Sequence, residues 1–197
     1  MRECFVLVGG QSRRFGEDKA TFLIEGKRCI EHITDRLKGV CDRFVVVGKE
    51  QRKFEFLKDV EFIHDTLQDQ GALIGIHTAL KNAKSDRALV VAVDTPLLNP
   101  QVVDYIFRGF EEPITVFLVR GRLYPLLGIY SKRVLPELEA YLSEGKRRVI
   151  EFLDRVGYRY IKEDEIISLD PELCSFINMN TKEDLEIIIK YLWARKG

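Results

Sequence analysis

The amino-acid sequence predicts an α/β fold with a mostly parallel central sheet, and three observations carry that prediction. Short apolar runs without polar alternation recur through the chain, as strands covered on both faces require. Stretches with helical spacing separate them in the first half. The runs also end abruptly, the first on a glycine pair and two later ones on aspartate. In open parallel sheets ligands bind beyond the carboxyl ends of the strands, so these endings share one rim.

The first run, Cys4-Phe5-Val6-Leu7-Val8, reads as a buried strand. It passes into Gly9-Gly10-Gln11-Ser12-Arg13-Arg14-Phe15-Gly16-Glu17-Asp18-Lys19. Glycines directly after a strand allow a tight turn with exposed N–H groups, and nearby Arg and Lys make such a turn suited to phosphate oxygens. Neither the dinucleotide fingerprint nor the Walker pattern fits, since Lys19 lies between Asp18 and Ala20. Locally, a phosphate loop and an ordinary strand-to-helix turn with a solvated charged rim are both open.

Thr21–Ile24 is expected to be extended, and Arg28–Leu37 forms a helix with Ile30, Ile33 and Leu37 on one stripe. Phe44–Gly48 is the second strand, 53–57 a short helix, and Glu61–Asp65 a third strand ending on a carboxylate. Gly71–Leu80 has helical spacing. Ala88–Val93, the strongest strand, is closed by Asp94-Thr95-Pro96, and Asn99-Pro100 opens a helix through Phe107.

In the second half, Ile114–Val119 and Leu126–Tyr130 are strands flanking the Arg120-Gly121-Arg122 turn. A helix over 132–142 is interrupted at Pro136, another covers 148–156, and 158–161 is extended. Thr181 is placed to cap a last helix over 184–193 that turns Leu185, Ile188, Ile189 and Leu192 inward. With no linker, repeat or low-complexity tract, residues 1–197 are expected to form a single domain.

Composition narrows the function. The 31 Lys and Arg balance 31 Asp and Glu, which argues against a nucleic-acid or membrane-surface binder, so an anion site must be local. Cys4, Cys29, Cys41 and Cys174 lack C-x-x-C spacing and no cleavable leader is legible, so a reduced, cytoplasmic protein is expected. The apolar runs are too short to span a bilayer. The charged fraction of 31% is compatible with a thermophilic source.

Asp94, ending a buried strand, is the candidate Mg²⁺ ligand, because that ion takes oxygen donors and commonly one or two carboxylates plus substrate phosphates. Capping of the Thr95-Pro96 turn is the other role open to it. Arg13, Arg14 and Lys19 together with Asp94 offer what nucleotidyl transfer needs: cations for phosphate charge and a metal to align it. No Ser-His-Asp or Cys-His set is legible, so direct displacement is the simpler chemistry. His32, His64 and His77 have no metal-ligand spacing and are expected to be structural.

LVGGQSRRFGEDK resembles the L-x-G-G-x-S-x-R-M-G-x-D-K signature of the molybdenum cofactor guanylyltransferases, the MobA family of nucleotidyltransferases. The likeness continues through Asp65, the 71–80 helix, Val93-Asp94-Thr95-Pro96, Tyr124-Pro125-Leu126, Gly145-Lys146-Arg147-Arg148 and Phe176-Ile177-Asn178-Met179-Asn180-Thr181. It implies a Rossmann-like three-layer α/β/α domain of the nucleotide-diphospho-sugar transferase type. It further implies transfer of GMP from GTP to the terminal phosphate of molybdenum-molybdopterin, with pyrophosphate released and a guanine dinucleotide cofactor formed.

By the same resemblance Leu7, Val8, Gly9 and Gly10 line the nucleotide, and the glycine pair favours GTP over CTP. Lys19 meets the phosphates, Arg14 steadies the triphosphate, Asp65 helps hold the nucleoside and Asp94 binds Mg²⁺; Arg14, Lys19 and Asp94 form the catalytic set. Arg147, Arg148, Asn178 and Asn180 are candidates for the pterin and its phosphate, the arginines being otherwise a solvated helix face and the asparagines satisfiers of backbone groups. Molybdoenzyme apo-proteins or other cofactor-biosynthesis proteins are the implied partners. Phe15, Gly48 and Ala72 depart from the family pattern. A cytidylyl- or sugar-nucleotide transferase and a non-catalytic nucleotide-binding regulator are the rival readings.

Overall fold

The structure, a computed structural model, describes residues 1–9, 18–65 and 71–194. Its seven-stranded sheet is built from β1 (Glu3–Leu7), β4 (Arg43–Gly48), β5 (Glu61–His64), β6 (Arg87–Ala92), β7 (Ile114–Val119), β8 (Arg122–Ser131) and β9 (Arg159–Lys162), in the order β5-β4-β1-β6-β8-β7-β9. A separate ribbon pairs β2 (Leu23–Ile24) with β3 (Lys27–Arg28). β1 lies parallel to both β4 and β6, and β4 to β5. Only β8 runs the other way, antiparallel to β6 and β7, while β9 is parallel to β7. The sheet is mostly parallel, with helices on both faces.

Those helices are α1 (Cys29–Leu37), α2 (Ala72–Asn82), α3 (Pro100–Arg108), α4 (Leu135–Ser143), α5 (Val149–Val156), α6 (Glu163–Ile166) and α7 (Lys182–Ala194). Alternate residues of each central strand go to opposite layers. Cys4, Val6, Leu89 and Val91 pack with Ile30 and Ile33 of α1 and Val102 and Ile106 of α3. Phe5, Ala88 and Val90 pack with Leu73 and Ile76 of α2, Leu138 of α4 and Phe152 of α5. Both faces being covered explains why these strands read as unbroken apolar runs. A third cluster seats Ile188 and Leu192 of α7 on Ile24, Cys29, Leu97, Cys174 and Met179, with Leu185 and Ile189 partly buried against it.

The second half departs from the sequence expectation in two places. β8 begins at Arg122, four residues earlier than the apolar pattern implies, because its register with β7 shifts between Thr115 and Phe117 and Pro125 falls in that irregularity, where no ladder N–H is needed. Pro136 does not interrupt a helix. A 3₁₀ turn over Lys132–Val134 precedes α4, and Pro136 lies in that helix's first turn, whose N–H groups have no intrahelical acceptor. The segment expected as a helix over 53–57 is a 3₁₀ turn over Gln51–Phe54.

Candidate functional site

The ends of four neighbouring strands, β5, β4, β1 and β6, make the rim. Val93 N donates to Leu7 O at 3.2 Å, Val8 N to Val47 O at 3.0 Å and Asp65 N to Gly48 O at 3.0 Å. The ladder thus continues just past β6, β1 and β5, and Gly9, Asp65 and Asp94 emerge beyond it. Gly9 lies beside Asp65, whose Oδ2 is 3.7 Å from where a Cβ on Gly9 would stand. Gly10 and Arg14, expected at the nucleotide and the triphosphate, lie outside the described residues, as do Arg13 and Phe15.

Gly48 is closely approached by Val8. A Cβ there would stand 2.5 Å from Val8 Cγ2, closer than any carbon contact tolerates. A side chain on β4 at this point would require Val8 to shift. Gly75 of α2 answers Leu7 similarly, since a Cβ would meet Leu7 Cδ1 at 2.8 Å. Ala72 is the first residue of α2.

Asp94 is tied to several described residues of the rim. The turn after β6 is closed by Thr95, whose hydroxyl donates to Ala92 O at 3.0 Å, and the Asp94 carboxylate faces two polar side chains. Asn178 Nδ2 donates to Asp94 Oδ1 at 3.3 Å, and Lys19 Nζ stands 3.8 Å from Oδ2, with both charged side chains less than a fifth exposed. Lys19 also donates to Asn180 Oδ1 at 2.6 Å. Met179 N donates to Asp94 O at 2.8 Å, tying the C-terminal segment to the strand end. Burial raises the Asp94 carboxyl above its ordinary value, while Lys19, the Asn178 amide and the charge of Arg122 pull it down.

Under this cluster, the Cys29 thiol donates to Val93 O at 2.9 Å. Burial, with Asp94 nearby, pushes that thiol far above the range in which a thiolate forms, so Cys29 is no nucleophile.

Asp65 is held differently. Burial again raises its carboxyl, opposed by the charge of Lys49 and a side-chain hydrogen bond from Thr78. Its Oδ1 is buried with no hydrogen-bond partner among the described residues. Among the described residues Asn178 Oδ1 is likewise buried without a partner. Thr78, Lys49 and Arg122 escaped sequence reasoning; Thr78 sits inside an apolar helix, and the R-G-R turn gained significance only once β8 returned antiparallel beside β6.

The residues near Asp94 fit a hard cation of the sparsely ligated kind. A desolvated carboxylate adjoins an amide oxygen without a partner among the described residues, and Mg²⁺ needs few protein oxygens when phosphates and water complete its shell. Among the described residues no group of three or more His, Cys, Asp and Glu could hold a metal by itself. His32 and His77 have structural contacts, with Ile24 O at 2.8 Å and Glu139 at 3.3 Å.

Arg147 lies at the end of α4. Its guanidinium donates to Leu142 O and Lys146 O, both at 2.8 Å, closing the C-terminus of α4. Lys132 N donates to Asp86 O just before β6, and His77 of α2 meets Glu139 of α4. These contacts run α4 antiparallel to α2 and carry the 144–148 turn toward the end of the sheet where β6 finishes. Arg148, largely exposed, pairs with Glu151 at 2.9 Å. Among the described residues no helix is long and apolar enough to cross a membrane.

Residues 4–156 match the family described as "MobA-like NTP transferase domain". An Aquifex aeolicus protein described as "Probable molybdenum cofactor guanylyltransferase" is 37% identical over 94% of this chain and 89% of its own length. The crystal structure of molybdopterin-guanine dinucleotide biosynthesis protein A from Archaeoglobus fulgidus superposes with a TM-score of 0.84 at 28% identity, covering 98% of this chain and 99% of that one. A cytidylyltransferase of Thermus thermophilus, acting on 2-C-methyl-D-erythritol 4-phosphate, superposes with a TM-score of 0.70 at 14% identity over 98% of each chain, which shows a shared fold alone.

Proposed function

This chain belongs to the MobA-like NTP transferase family and is a nucleotidyltransferase, and from that premise we propose that it transfers GMP from GTP to the terminal phosphate of molybdenum-molybdopterin, releasing pyrophosphate. The observation that carries the reading is the convergence of Lys19, from the glycine-loop side, on Asp94 at the end of β6. A cation and a carboxylate kept at that spacing suit a metal-bound triphosphate better than they suit each other.

In this reading the bond between the α-phosphorus of GTP and its bridging oxygen breaks as an oxygen of the acceptor phosphate bonds to that phosphorus. The acceptor is already anionic near neutral pH, so no strong general base is required. Gly9, the first residue past the ladder, lets the nucleotide approach the backbone, and Asp65, one of whose oxygens has no partner among the described residues, faces the nucleoside. Lys19 and Arg14 offset charge on the phosphate oxygens. Asp94, with Asn178 beside it, would hold Mg²⁺, which when bound supplies charge neutralisation and alignment of the triphosphate. Catalysis is then positioning and electrostatic stabilisation.

The N-terminal half would form the GTP side, and the turn carrying Arg147 and Arg148 would face the pterin substrate. The test is pyrophosphate release by the purified protein with Mg²⁺, GTP or CTP, and molybdenum-molybdopterin present or absent. Release that needs both GTP and the pterin is expected. Preference for CTP would favour the cytidylyl reading, and nucleotide binding without pterin-dependent release would favour a regulator.

A further inference from the structure

The Asn178-Met179-Asn180 segment contains the polar residues whose contacts least match a place on the pterin side. Both asparagines are engaged with the cluster assigned to the nucleotide: Asn178 donates to Asp94, and Asn180 accepts from Lys19. In a locally extended backbone, residues two apart share a side and the residue between them faces the other way. Met179 accordingly is fully buried in the α7 cluster, and its N–H is bonded to Asp94 O at 2.8 Å. The two amides are thereby turned together toward the rim.

We infer that Asn178 and Asn180 are positioning residues for the metal–nucleotide half of the reaction, acting through Asp94 and Lys19. The inference rests on reading Asp94 and Lys19 as the metal and phosphate groups. The two amides act with opposite polarity. Asn178 presents an N–H to an acid, and Asn180 presents an oxygen to an ammonium. Asparagine carries both donor and acceptor, which is why one residue type serves at both positions.

The distances indicate what this arrangement does. Lys19 Nζ is at full hydrogen-bond distance from Asn180 Oδ1, 2.6 Å, yet 3.8 Å from the nearest Asp94 oxygen. Asn180 therefore takes the hydrogen bond of the ammonium and leaves it paired with the carboxylate at ion-pair rather than hydrogen-bond distance, a looser contact that competes less with a cation for Asp94. Asn178 fixes the carboxylate from the opposite oxygen.

The segment is itself held from both sides. Asp170, buried, accepts from Cys174 N at 3.1 Å and Ser175 N at 2.8 Å, and Ser175 Oγ accepts from Asn99 N at 2.9 Å. Beyond Met179, Asn180 N donates to Asp184 Oδ2 at 2.9 Å. Such an anchored segment can position other groups without itself touching the reacting atoms.

The experiment measures GTP binding by calorimetry with Mg²⁺ and no pterin, together with the Mg²⁺ concentration that half-saturates binding. Asn178→Ala and Asn180→Ala are expected to weaken binding about tenfold, the usual scale for losing a hydrogen bond to a charged group. Asn180→Ala should have no further effect in a Lys19→Ala background, nor Asn178→Ala in an Asp94→Ala background. Asn178→Gln and Asn180→Gln, which keep the amide, should recover part of the loss, and thermal melts establish that each variant is folded. Wild-type GTP affinity in folded alanine variants that lose pterin-dependent turnover would overturn the inference and return the asparagines to the pterin. Additive effects with Lys19→Ala and Asp94→Ala would also overturn it. If Asp94→Ala and Lys19→Ala themselves leave Mg²⁺-dependent GTP binding unchanged, the nucleotide reading fails first and takes the inference with it.

Discussion

Asp65 and Asp94 each stand just beyond a parallel strand of one sheet, and burial raises both carboxyls. Their surroundings differ. Asp94 is bound by a segment more than eighty residues away in sequence, through Asn178 and Met179, and faces Lys19 across the rim. Asp65 meets Thr78 and the charge of Lys49, and one of its oxygens has no partner among the described residues. A carboxylate fixed by distant chain is oriented before any ligand arrives.

The strongest test of this contrast is Asp94→Ala, expected to lower pyrophosphate release by about 10²- to 10³-fold, the scale of losing one preorganised electrostatic group. A loss below about tenfold would remove the distinction. Asp65→Ala is expected to act mainly on substrate binding, raising KM for GTP about tenfold with kcat changed less than about threefold in steady-state assays. An equal fall in kcat would make the two carboxylates alike.

Stability sharpens the same comparison. Gly48→Ala should cost about 1–3 kcal/mol in denaturant unfolding, because Val8 must move from the intruding Cβ. Displacement of Val8 should also weaken GTP binding on the Asp65 side of the rim. On the other side, Thr181→Ala should cost about 1 kcal/mol, or about 2–4 °C in Tm, by removing the hydroxyl that accepts from Asp184 N at 3.2 Å.

The smallest expected effect is pH-dependent. Because the folded Asp65 carboxyl titrates above its ordinary value, the native state keeps that proton to higher pH than the unfolded chain does. Its contribution therefore falls as pH rises from the ordinary carboxylate range through the raised one, and the ionised group is a net cost at pH 7. Without ligand, Asp65→Asn should raise Tm slightly at pH 7, with the gain disappearing at pH values where the carboxyl is protonated in both states. A gain that persists in acid would assign the effect to something other than charge.

Much of the fold was legible because both sheet faces are covered. The apolar runs at Cys4–Leu7, Val45–Val47 and Ala88–Val91 alternate between two buried layers, so each run announces a strand without polar interruption. Thr181 and Asp184 announced the last helix through local capping chemistry, and each backbone N–H is indeed bonded to the other's side chain. β8 was read short because its first half crosses an irregular register containing Pro125, and such pairing depends on a neighbouring strand. Arg122 and Thr78 were missed for a related reason: their proximity to Asp94 and Asp65 comes from packing of separate elements.

Residue order by itself determined which strands end on glycine or aspartate and placed those ends at the carboxyl edge of a parallel sheet, since period and handedness are local properties repeated along the chain. Tertiary structure decided the partners. Lys19 meets Asn180, Asn178 meets Asp94, and Gly48 is closely approached by Val8 because loops and strands remote in sequence converge within a few ångströms. Hydrogen bonds and steric exclusion act only at that range, so the wiring of the rim follows from the folded arrangement of the whole sheet.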